Sequence, residues 1–137
     1  MGLFSRSFTR DPAKALGRDT KDRDYRLTAC PVITSDRMVV LVDVNVRLKV
    51  APDWPFGYDE AEEPTIHAVV VMMLRFLGEE TTADDLLVGR QHVVQTVEKA
   101  FALAPVASGI ERRVTAVDVR RHDPAAPPMA HEFRVLG

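Results

Sequence analysis

A chain of 137 residues with 46% apolar content is long enough to bury the core of one domain and too short for two. A charged fraction of 28% and a net charge of -2 argue against a wholly disordered chain and carry no sign of a nucleic-acid binder. The single cysteine, Cys30, excludes an intrachain disulfide framework and a multi-cysteine zinc site.

Charge is unevenly spread. Residues 1–26 hold seven Lys and Arg against four Asp, whereas 52–85 hold nine acids against the single Arg75. Solvated surface is the plain reading of this asymmetry; a polar pairing between copies is the functional one. The longest apolar run, 68–74, falls far below the roughly 20 residues that cross a bilayer, and Arg75 ends it. The opening Met1-Gly2-Leu3-Phe4-Ser5-Arg6 lacks the apolar stretch of a secretory signal and has Arg where a myristoylation motif needs Ser or Thr. Cytoplasmic residence is the resulting expectation.

In chain order, residues 1–24 show no sustained period and read as a mobile basic tail, with the domain at 25–124 and a Pro-rich tail at 125–137. Within the first tail, Leu3, Phe4 and Phe8 beside Arg6 and Arg10 form a candidate amphipathic contact for an anionic membrane surface; a frayed terminus is the alternative. Residues 40–50 alternate: Val40, Val42, Val44, Val46, Leu48 and Val50 fall on one face, and the positions between them include Asp43, Asn45, Arg47 and Lys49. That period of two predicts a long strand buried on one side. Residues 27–33 are its expected antiparallel partner through the polar turn Thr34-Ser35-Asp36-Arg37. Pro31 has no amide to donate, which places that partner at a sheet edge or bulges it near Pro31.

Pro52, Pro55 and Gly57 make 51–59 a loop around Trp54, Phe56 and Tyr58. These three aromatics serve either as a lid over the core or as an exposed contact patch. A helix is predicted from near Pro64, with Ile66, Val69, Val70, Met73, Leu74 and Leu77 as its buried stripe and Gly78 as its end. Ala68, Val71, Met72 and Phe76 widen the apolar surface beyond half the circumference. They predict a second buried side, for which another copy of the chain is a candidate. Thr82-Ala83-Asp84-Asp85 has the form of a capping box opening a second helix that reaches about Pro105, with Leu87, Val94 and Phe101 interleaved with Arg90, Val97 and Ala104 in its seam and Arg90 at the seam's edge. Ser108-Gly109 closes it, residues 110–121 return as a strand with a register change near Thr115-Ala116, and 131–136 either add a short final strand or trail.

Chemistry finds no anchor in this pattern. His67, His92, His122 and His131 stand apart without metal-ligand spacing, and Asp84-Asp85 is explained by capping. No phosphate-cradling glycine loop and no nucleophile elbow is present. The arginines at 112–113 and 120–121 read as a solvated strand face rather than a nucleic-acid contact. No catalytic residue, metal, cofactor, small-molecule substrate or nucleic acid is therefore expected.

Taken in order, the motifs over 32–124 resemble the SPFH/band 7 domain of stomatins, flotillins and prohibitins. Thr34-Ser35-Asp36 ahead of the alternating valines of 39–50 matches the family's Thr-x-Asp and central strand. The passage from Leu74-Arg75 through Gly78, Thr81-Thr82, Asp84-Asp85-Leu86-Leu87 and Arg90 matches its next signature, and Gly109-Ile110-Glu111 leads to a strand ending at Asp123-Pro124. The resemblance implies an α+β fold with an antiparallel sheet packed against two helices. It also implies a non-enzymatic scaffold that forms homo-oligomers or engages another protein, at the cytoplasmic face of a membrane. The family's usual anchoring segment and long coiled coil have no counterpart in the sequence, so assembly is expected to use the domain's own faces. Ala68, Val71, Met72 and Phe76 come first among these, then Trp54, Phe56 and Tyr58. The alternative is a monomeric module that binds a protein through the 54–58 loop or the acidic 52–85 segment.

Overall fold

The computed structural model describes residues 21–58, 62–103, 109–123 and 132–136. Strand β1 (Arg23–Ile33) and strand β2 (Val39–Val50) form the expected antiparallel hairpin. Helices α1 (Glu62–Glu80), α2 (Ala83–Val88) and α3 (Arg90–Leu103) follow, then strand β3 (Ile110–Arg121) and strand β4 (Glu132–Leu136). The strands make one antiparallel sheet in the order β3-β2-β1-β4, so the α+β class holds.

The alternation in β2 does what its period demands. Its six even-numbered residues, Val40 to Val50, are each no more than 6% exposed and face the helices. Burial of a Val or Leu side chain contributes roughly 1.5–3 kcal/mol, so this one strand is a principal source of stability. Ile66, Val69, Val70, Leu74 and Leu77 of α1 meet it from the helical layer, with Val93, Val97 and Phe101 of α3 beside them. The odd-numbered face of β2 carries Asp43, Asn45, Arg47 and Lys49 and is covered by no helix among the described residues.

Several details of the expected fold are corrected. Strand β1 starts at Arg23 rather than Leu27, because Asp24 on its outward side pairs with Arg47 of β2 at 3.0 Å. It lies inside the sheet rather than at an edge: β4 pairs with residues 24–28 and stops before Pro31, so no ladder on that flank needs the missing amide. The other alternative, a bulge near Pro31, holds: it falls between Leu27 and Cys30, where Ala29 takes φ 54° and donates its amide to Asp43 Oδ1 at 2.6 Å. Gly78 does not end α1, which continues to Glu80. Here the glycine permits close packing, since a Cβ would lie 2.5 Å from both Ile33 O and Val32 Cγ1.

The predicted second helix is two helices. Thr82 caps α2 as expected, its hydroxyl accepting from the Asp85 amide at 3.3 Å. Gly89 then closes α2 after six residues, and the chain turns into α3. The buried seam is consequently Ala83 and Leu86, then Val93, Val97 and Phe101: Val97 and Phe101 hold, while Leu86 and Val93 take the buried places expected of Leu87 and Val94. In β3 the register slips as expected: Asn45 pairs with Ala116 and Val46 with Val114, leaving Thr115 as the extra residue.

Candidate interaction surface

Part of the motif set, Thr34-Ser35-Asp36 and the stretch from Thr81 to Asp84, meets at one end of the domain. In the β1–β2 turn the Thr34 amide donates to Met38 O, and the Thr34 hydroxyl donates to Asp36 Oδ1. The same Asp36 oxygen accepts the Ala83 amide at 3.1 Å, and the Ser35 amide donates to Thr81 O at 3.0 Å. Asp36 thus satisfies one of the amides left open at the start of α2, while Thr82 satisfies another. The hydrogen bond from Thr34, and then that from Ala83, hold the Asp36 carboxyl below its usual range. Asp84 pairs with Arg121, and Arg90 with Asp118 at 3.6 Å, so the helices after the turn are also clipped to β3. Together these polar side chains lock the hairpin to the helical layer, which gives them a structural role.

The outward face of α1 is different. Ala68, Met72 and Phe76 stand on it at four-residue steps, with Met72 56% and Phe76 49% exposed; Val71 is half-buried beside them. This row forms a ridge with a depression on each side. Between α1 and α3 lies a mainly apolar groove of about 560 Å³ lined by Val69, Met72, Met73, Phe76, Ala100 and Leu103, with Thr96 and Lys99 on its α3 wall. On the other flank, Ala68, Val71, Arg75 and Glu79 line a second hollow of about 570 Å³. The sheet accounts for the inner side of α1, and no described element covers this outer side.

Sequence reasoning finds the ridge but misses the α3 wall of the groove, because one unbroken helical period over 83–105 places Val97 and Phe101 correctly but sets Leu87 and Val94 where Leu86 and Val93 are buried. The signal that corrects it is Gly89, which separates Leu86 from Val93 and resets the periodicity.

The aromatic loop divides. Trp54 lies against Gly109, where any Cβ would collide with the indole ring, and Trp54 and Tyr58 both pack on the core. Phe56 stands edge-on to Trp54, at a centroid distance of 5.0 Å, and is 63% exposed. Tyr58 stacks near Tyr25, has the Arg23 guanidinium 4.0 Å above its ring, and donates its hydroxyl to Glu63 Oε1 at 3.3 Å. Burial first, and the Glu63 carboxylate second, push the Tyr58 phenol well above its usual value. Beneath it Glu62 and Arg112 form a buried ion pair at 3.3 Å. Loop and ridge do not join: Met72 lies ten residues along α1 from Glu62, roughly 15 Å at the helical rise.

Leu3, Phe4, Arg6, Phe8 and Arg10 lie outside the described residues, as does His131. No helix among the described residues is long and apolar enough to cross a membrane. His67 lines the second hollow, His92 is exposed and His122 sits just after β3, so the three remain apart. Among the described residues no group of three or more His, Cys, Asp or Glu is placed to hold a metal ion. Compared with known proteins, the chain matches no family model and no curated protein.

Proposed function

We propose that this chain is a non-enzymatic scaffold or interaction domain of the SPFH/band 7 type, acting by association with copies of itself in the cytoplasm, at the inner face of a membrane. The observation that carries this reading is the Ala68–Met72–Phe76 ridge, which leaves large apolar side chains half exposed between two hollows. Contiguous apolar surface of this kind is a feature of association sites, because water gains from its removal. The ordered motifs that resemble the family support the type, and the ridge supports the mode of action.

The test is the solution mass of the full chain across concentration, by light scattering, with Met72→Glu/Phe76→Glu as comparison. Both positions are exposed, so the double variant should keep its far-ultraviolet spectrum and melting midpoint while the assembled mass falls below that of wild type. Wild-type protein that stays monomeric at every concentration rejects self-association.

Phe56 favours a second reading, in which a single copy binds another protein through the loop. Under that reading the chain is monomeric, and Phe56→Ser removes partner capture without altering stability.

A further inference from the structure

Strand β3 ends the sheet, so among the described residues its outer edge has no strand neighbour. Bare amides and carbonyls on such an edge pair readily with another strand, and proteins often guard them with charge. A row of one sign would repel a second copy. The outward-facing charges of β3 are instead Glu111 and Arg113 before the bulge, and Asp118 and Arg120 after it. Read from opposite ends, this series is negative, positive against positive, negative.

From this mirror-opposed series we infer that two copies join edge to edge through β3, antiparallel about a two-fold axis between Thr115 and Ala116, to give one continuous sheet. The inference rests on the reading of self-association and supplies an interface for it. In that register Glu111 faces the partner's Arg120 and Arg113 faces the partner's Asp118. Symmetry repeats both pairs, giving a checkerboard of alternating charge on the uncovered face. On the helical side Val114 meets the partner's Val117.

The bulge makes this register possible. Without Thr115 as an extra residue, Glu111 and Arg113 would lie on the opposite face from Asp118 and Arg120, and an antiparallel copy could not oppose them. The charges are accessible: side-chain exposure is 55% for Glu111, 73% for Arg113, 51% for Asp118 and 38% for Arg120. Within one copy they are held by neighbours two residues away on the same strand, Arg113 to Glu111 at 2.9 Å and Arg120 to Asp118 at 3.3 Å. These contacts pre-position the side chains and can persist in the checkerboard. Arg120 also reaches Asp43, and Arg90 reaches round the edge to Asp118. Arg90 is 62% exposed, so its side chain can swing aside as the second strand docks. Opposite charges directly across an antiparallel pair stabilise it, and a two-fold axis requires such self-complementarity.

Charge exchange on the full chain tests the register, with sedimentation equilibrium as the readout. Arg113→Asp and Asp118→Arg each place like charges opposite one another and should raise the dissociation constant at least tenfold. The double variant Arg113→Asp/Asp118→Arg restores attraction and should return it to within about threefold of wild type. Assembly through this edge should also be weaker at about 0.5 M than at about 0.05 M salt. As a check independent of charge, Ala116→Cys should crosslink across the axis under mild oxidation, with buried Cys30 silent. Wild-type assembly that ignores the exchanges and leaves Ala116→Cys uncrosslinked overturns the β3 interface while the scaffold reading stands. A wild-type chain that is monomeric throughout overturns both.

Discussion

Asp36 shows how one side chain can link distant parts of a chain. Its carboxylate accepts the Thr34 hydroxyl within its own turn and the Ala83 amide 47 residues away. Because these bonds favour the charged form, the folded protein holds Asp36 below its usual value of 3.8. The unfolded chain therefore binds the proton first. The resulting stability is fully present above 3.8 and is lost as pH falls through the lowered folded value. Asp24, held down chiefly by the Arg47 hydrogen bond, adds a second loss of the same sign. Asp36→Asn should thus melt lower than wild type at neutral pH and lose less on acidification between about pH 4 and 2. Parallel melting curves over that range would remove Asp36 from the account of acid stability. The turn residues are legible as a turn, but not as a clasp, since nothing local to 34–37 names Ala83 as the other partner.

At the scale of elements, α1 is legible from its stripe, while its end is not. Glycine after an apolar helix ordinarily signals termination, but Gly78 continues the helix because β1 crosses too closely for any side chain. That distinction depends on where Val32 and Ile33 lie, which is tertiary information. Gly78→Ala provides the test. Helix propensity alone predicts a gain of about 1 kcal/mol. The contacts at 2.5 Å predict instead overpacking, and a net loss of about 1–2 kcal/mol in urea unfolding. A stabilised variant would mean that α1 ends where the local signal suggests. The division of α2 from α3 has a similar origin: Gly89 lets the chain change direction, so Arg90 can reach Asp118 and Asp84 can reach Arg121.

In the whole molecule, hairpin, helices and β3 share one core, and Cys30 reports on its integrity. The thiol is 3% exposed, and burial pushes its pKa up, so it is shielded both sterically and as a nucleophile. Alkylation by iodoacetamide at neutral pH should therefore be negligible in water and rise with urea along the same transition as the circular dichroism signal. Fast labelling before that transition would show that the β1 bulge opens on its own. The sequence by itself determined the face of β2 that is buried, the apolar stripe of α1 and the extra apolar row beside it, the Thr82 cap and the bulge in β3. Each follows from periodicity or from hydrogen-bonding chemistry within a few residues. Only the tertiary structure decided that β1 lies inside the sheet, that Gly78 is a packing glycine, that Trp54 packs down while Phe56 stands out, and that β3 is an edge. Those outcomes depend on which segments become neighbours, and short-range patterns constrain the faces of an element far more tightly than the identity of what packs against them.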